Sequence, residues 1–113
     1  MINIILFLVA WILVLPVTLL NLYSVKTEYG TTKGYFKSTA LSIDIWGNRE
    51  FRTLWNSRLI IEGGYQFGRE GETISSALGK NERDKTLTNC GKILVAILDF
   101  LDENHCENSI REF

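Results

Sequence analysis

Residues 4–23 read IILFLVAWILVLPVTLLNLY, a run without one charged side chain. As an α-helix, about 20 residues rise about 30 Å, the thickness of one hydrocarbon core. How this run is read decides the fold. The uncharged stretch extends from Met1 to Val25, and every Lys, Arg, Asp and Glu lies from Lys26 onward. Thr18 can return its hydroxyl to a backbone carbonyl, and Pro16 is a kink that membrane helices tolerate. Trp11 lies near the centre, and Tyr23 stands where an interfacial aromatic belongs. A cleaved signal peptide is the rival reading. It needs a basic start and a small-residue cleavage site. Met1-Ile2-Asn3 brings no side-chain charge, and the stretch Asn21–Val25 is a poor match to A-x-A. A buried core helix is the third option, but the rest of the chain could hardly cover a segment apolar on every side. The reading adopted is a retained transmembrane anchor over residues 1–25.

Lys26, Lys33 and Lys37 follow the span and no charged side chain precedes it. By the positive-inside rule the protein is expected in the inner membrane as a single-pass chain, with its C-terminal domain cytoplasmic. There Cys90 and Cys106 read as free thiols in a reducing compartment. Residues 26–38, KTEYGTTKGYFKS, suit a juxtamembrane linker with its lysines near anionic lipid headgroups. A net charge of −1 gives no nucleic-acid footprint.

The remainder, residues 39–113, reads as a small helical domain. At 100° per residue Leu41, Phe51, Leu54, Trp55 and Leu59 gather into one apolar stripe. The alternation Leu41, Ile43, Ile45 leaves a short strand as the other choice. Gly47 weakens the helix near its middle, and Gly63-Gly64 stops it. After a glycine-punctuated loop, Glu72–Leu78 makes a short helix with Ile74, Ala77 and Leu78 inward and Gly79 as its stop. Residues 80–85, KNERDK, read as a solvated charged loop. Thr86 or Thr88 caps a last helix running to about Asn104, with Ile93, Leu94, Ile97, Leu98, Phe100 and Leu101 on one side. The expected class is mainly α: one transmembrane helix, then about three helices around a small core. A domain this small is expected to lean on the membrane or on a second copy.

Two constellations carry chemistry. Asp44 and Asn48, four apart, project together from the apolar stripe. A carboxylate there must be paired, hydrogen-bonded or functional. It either caps the Glu72 helix, accepts from Ser75, Ser76 or an arginine, or belongs to a site. In Asp99–Cys106, DFLDENHC, a continuous helix would align Asp99, Asp102 and Cys106, with His105 at the edge. Carboxylate, imidazole and thiol are metal ligands or acid–base groups. The structural alternative is a His105 cation serving the last helical carbonyls. No second Cys or His pair stands at zinc spacing. Cys106 as a nucleophile would have only its neighbour His105 as base. A phosphate-loop reading of residues 63–80 fails, because Ile74 occupies the place of the first glycine and Asn81 that of the Ser or Thr.

FGREGETISSALGKN (67–81) and TLTNCGKILVAILDFLDENHC (86–106) resemble a group of small proteins encoded by tailed bacteriophages and prophages. These carry an ETIS-S-x-x-GK block and a later D-x-x-D-x-x-HC block. LSIDIWGNREF (41–51) is similar to their D-x-x-x-N segment. Here Arg69-Glu70-Gly71 departs from the proline and aspartate that many of them show before the ETIS block. The resemblance implies phage origin and one spatial cluster of Asp44, Asn48, Glu72, Thr73, Ser75, Ser76, Asp99, His105 and Cys106, but no chemistry. The function expected is protein–protein interaction at the inner membrane with a host or phage protein, in lysis control, superinfection exclusion or host-defence inhibition. That function needs no cofactor. One alternative is a metal-assisted hydrolase, with Asp44, Glu72 and His105 around a divalent ion and Cys106 nearby. The other is a structural assembly adaptor whose polar cluster only pins helices.

Overall fold

The computed structural model describes residues 2–113. These form six helices, α1 (Ile2–Tyr29), α2 (Lys33–Glu50), α3 (Arg52–Arg58), α4 (Ile74–Asp84), α5 (Asn89–Leu101) and α6 (His105–Asn108). The only β pairing among the described residues is an isolated antiparallel bridge between Ile60 and Leu87. The class is mainly α. The chain divides into two compact units at Thr39–Ala40, a boundary that falls inside α2.

The first unit holds α1, a helix long and apolar enough to cross a membrane, with none of its side chains buried. Three of its hydroxyls return to the helix backbone. Thr18 Oγ1, Ser24 Oγ and Thr27 Oγ1 donate to the carbonyls of Val14, Leu20 and Tyr23 at 2.6, 3.2 and 2.9 Å. Such back-bonding satisfies hydroxyls where no water is available. Residues 26–38, expected as a linker, are helical apart from the turn at Gly30–Thr32. Gly30 takes φ +75°, which ends α1 in the left-handed region that favours glycine.

In the second unit α2 continues as a helix through Leu41–Ile45, so the strand alternative does not hold. The expected break at Gly47 lies instead at Phe51, which leaves helical geometry at φ −106°, ψ 20°. Gly47 is buried for another reason: a Cβ there would stand 3.1 Å from Ile74 Cδ1. Trp55 Nε1 donates to the Gly47 carbonyl at 3.1 Å, and Phe51 stacks edge-on between Trp46 and Trp55. Leu41, Phe51 and Leu54 of the expected stripe are exposed, while Leu59 is buried.

Helix α4 is the hub. Ala77 and Leu78 are fully buried in a core with Leu59, Ile60, Phe67, Leu87, Val95 and Cys106. The expected stop at Gly79 is a correction. The helix runs on to Asp84 and is capped by Lys85 at φ +60°. Gly79 is glycine because a Cβ would overlap the Cys106 carbonyl of α6. Residues 80–85 are therefore not a solvated loop, and Lys80 and Asn81 are buried. Gly91 plays the same part for α5, whose first turn lies against the Leu59 carbonyl. Helix α5, by contrast, is shorter than the expected final helix. Thr88 caps α5 by accepting from Gly91 N, α5 ends at Leu101, and Asn104 at φ +54° turns the chain into α6. Only Leu94, Val95 and Leu98 of α5 pack on the core.

Candidate functional site

Two hydrogen-bonded clusters meet on the first turn of α4. Thr73 begins the helix and accepts from Ser76 N at 2.9 Å. Asp44, reaching from α2, accepts from Ile74 N at 2.7 Å and from Ser75 Oγ at 3.3 Å. A carboxylate on free N–H groups at a helix start is stabilised by hydrogen bonding and by the helix dipole. On the far side of Ser75, its Oγ lies 3.0 Å from His105 Nε2, and His105 Nδ1 lies 3.0 Å from Asp102 Oδ2. Asp44, Ser75, His105 and Asp102 form one chain joining α2, α4, the α5–α6 turn and α6. Its directions depend on which ring nitrogens of His105 carry a proton. With Nδ1–H given to Asp102, a neutral His105 must accept from Ser75, which then has no proton for Asp44. An imidazolium donates at both nitrogens and lets Ser75 donate to Asp44.

The order carboxylate, imidazole, serine hydroxyl is that of a nucleophile with its base and orienting group. The surroundings are not those of a working nucleophile. Ser75 is 3% exposed. Its neighbouring Ile74 N–H, which could serve an oxyanion, is occupied by Asp44.

The second cluster is deeper. Glu72 is fully buried and accepts from Tyr65 OH at 2.8 Å, Ser76 Oγ at 2.7 Å and Lys80 Nζ at 2.6 Å. Lys80 also donates to Tyr65 OH at 3.2 Å and lies 4.4 Å from that ring's centroid. Burial draws the Lys80 ammonium down, but its hydrogen bonds to Glu72 and Tyr65 and the charge of Glu72 outweigh this and leave it above the ordinary lysine range. Ser76 Oγ also accepts from Arg111 N at 2.9 Å, tying the C-terminal segment to α4.

Three asparagines hold the glycine-rich loop by pairing with its backbone. Asn48 accepts from Gly68 N at 3.2 Å and donates to the Glu72 carbonyl at 2.9 Å. Asn56 accepts from Phe67 N and donates to its carbonyl. Asn81 does the same for Tyr65, and its Oδ1 also accepts from Thr86 Oγ1 at 2.6 Å. Asp99 is spent on Cys106 N at 3.2 Å. Cys106 is fully buried and its thiol is pushed up to about 12, by burial first and then by Asp99, Glu82 and Asp44. A thiol so placed supplies almost no thiolate near neutrality.

The structure thus brings Asp44 and His105 together on Ser75, while Glu72 turns to Ser76, Tyr65 and Lys80. Among the described residues no group of three or more His, Cys, Asp and Glu side chains is placed to hold a metal ion. Sequence reasoning missed Tyr65, Lys80 and Asn81. A signal for Lys80 was present: Ser76 and Lys80 stand four apart on a helix that continues through Gly79, although that helix starts at Ile74 behind its Thr73 cap and not at Glu72 as expected. No protein-family model, curated protein or solved structure matches the chain.

Proposed function

We propose that this is a phage-encoded, single-span protein of the inner membrane, with its folded unit in the cytoplasm, acting by binding a host or phage protein. One contrast supports the reading. Inside the folded unit the polar groups are used up on one another: among the described residues every buried side-chain nitrogen and oxygen has a partner. Outside, α5 carries large apolar side chains that touch no core. An open apolar face on a unit with a satisfied interior supports docking. The apolar α1 supports placement at a membrane, and Lys26, Lys33 and Lys37 after it support the cytoplasmic side. Lysis control, superinfection exclusion and inhibition of a host defence complex all require such a contact.

The test is expression in a bacterial host, with lysis timing and phage sensitivity as readouts. The full chain should change one of them, and Phe100→Glu, at an exposed position, should lose the effect while the protein accumulates normally. A chain lacking residues 2–25 should also lose it. Full effect from that deleted chain overturns the membrane reading. Loss of effect in Ser75→Ala, with folding intact and Phe100→Glu unaffected, would transfer the function to the Asp102–His105–Ser75 chain and overturn docking.

A further inference from the structure

We infer that the open face of α5 is a self-association surface, on which a second copy of this chain lays its own α5 in antiparallel orientation. The inference rests on the membrane-docking reading for the tether that concentrates the copies, and it names a second copy of this chain as the protein partner that the α5 face takes. Ile93, Ile97, Phe100 and Leu101 are 61%, 53%, 89% and 74% exposed. Their spacing of i, i+4, i+7 and i+8 puts them on one side of the helix. Together they form a contiguous apolar patch of about a few hundred Å², the size of the largest patch on a typical single protein, which is often functional.

The charges beside the patch choose the occupant. Lys92 stands at its N-terminal end, and Asp102 and Glu103 follow its C-terminal end in the turn before α6. A lipid surface fits poorly, because Phe100 and Leu101, the most exposed of the four, lie among the acidic groups that anionic headgroups repel. A parallel pair would set acid against acid. An antiparallel pair brings Lys92 of each copy toward the Glu103 end of the other and places Ile93 beside Phe100. Ala96, exposed and small, stands at the rim of the patch beside Ile93 and Phe100. The area is below the roughly 800 Å² per partner of a stable soluble complex. Copies confined to one membrane by α1 gain effective concentration, so a small face suffices there.

The experiment uses the full chain in membranes with Cys90→Ser, so that added cysteines stand alone beside buried Cys106. Ile93→Cys and Phe100→Cys chains are oxidised separately and then as a co-expressed mixture carrying distinct tags. The antiparallel pair predicts crosslinks between the two chains in the mixture and little in either chain alone. Lys92→Glu should reduce that crosslink several-fold, and adding Glu103→Lys should restore it. Equal crosslinking of each chain with itself indicates a parallel pair and overturns the proposal. No crosslink in any combination overturns it too. Membrane attachment is read separately by alkaline washing. Crosslinks in a chain that washes off leave the α5 pair standing and remove the tether.

Discussion

Lys80 carries an ammonium whose side chain is 4% exposed, set 2.6 Å from a Glu72 carboxylate that is fully covered. A buried pair of this kind gains little over an apolar pair of the same volume, but losing one partner strands a charge. Tyr65 and Ser76 complete the carboxylate's hydrogen bonding, and Phe113 lies over the same cation, 5.2 Å from ring centroid to Nζ. Lys80→Ala should therefore cost about 3–5 kcal/mol in denaturant unfolding, the range for a broken buried pair. The double variant Glu72→Leu with Lys80→Met should recover most of that loss, since no charge is left unpaired. A double variant less stable than Lys80→Ala would mean that Tyr65 and Ser76, stripped of their shared acceptor, matter more than the charge. Asp44 behaves differently. It sits on a helix start with two donors already in place. Its effect is that of a cap, on the scale of about 1–2 kcal/mol.

Helix α4 shows where a sequence can be read and where it cannot. Ala77 and Leu78 inward follow from local spacing and both are buried, whereas Ile74, expected beside them, is only partly covered, and the helix starts behind a Thr73 cap and not at Glu72. Gly79 does not follow. A glycine that ends a helix and one that admits a neighbouring backbone look the same in one dimension, and only the arrival of the Cys106 carbonyl separates them. Reading it as a stop turned Lys80 and Asn81 outward and hid the Glu72–Lys80 pair. The same one-dimensional limit applied to α5. Its apolar residues cover too wide an arc for one neighbour, so periodicity could not say that Leu94, Val95 and Leu98 face the core while Ile93, Ile97 and Phe100 face outward. Asp44 was legible because a carboxylate among apolar residues demands donors, although its partnership with His105 through Ser75 depends on the turn at Asn104. The reading of Gly79 is open to test. Gly79→Ala has a better helix former at that position, so a plain helix interior would gain about 1 kcal/mol. Close approach to α6 predicts the opposite, a loss of about 1–3 kcal/mol from overpacking. Thermal unfolding gives the sign directly, and a stabilised Gly79→Ala would remove the contact argument.

In the folded unit, two buried groups tie stability to the alkaline range. Cys106 is pushed up to about 12 by burial and by surrounding carboxylates, and Lys80 is raised by its partners against the effect of burial. In both the folded state holds its proton more tightly than the unfolded chain does. The stability tied to each is complete below the unfolded pKa and is lost as pH rises through the folded one. Unfolded thiols titrate near pH 8.5 and lysines near 10.4, so the two losses begin at about those values. The unfolding free energy should then be flat with respect to these groups through neutrality. It should decline above about pH 8.5 with a slope approaching 1.4 kcal/mol per pH unit for one proton, and steepen above about pH 10.4. Urea unfolding of the full chain in detergent, followed by tryptophan fluorescence, measures the profile. Cys106→Ala separates the components. It should lower stability at every pH through the cavity it leaves, yet abolish the decline between about pH 8.5 and 10 while the later one remains. If Cys106→Ala keeps the early decline, that loss belongs to another group. The buried thiol would then be an ordinary packing element whose burial has no consequence for the pH response.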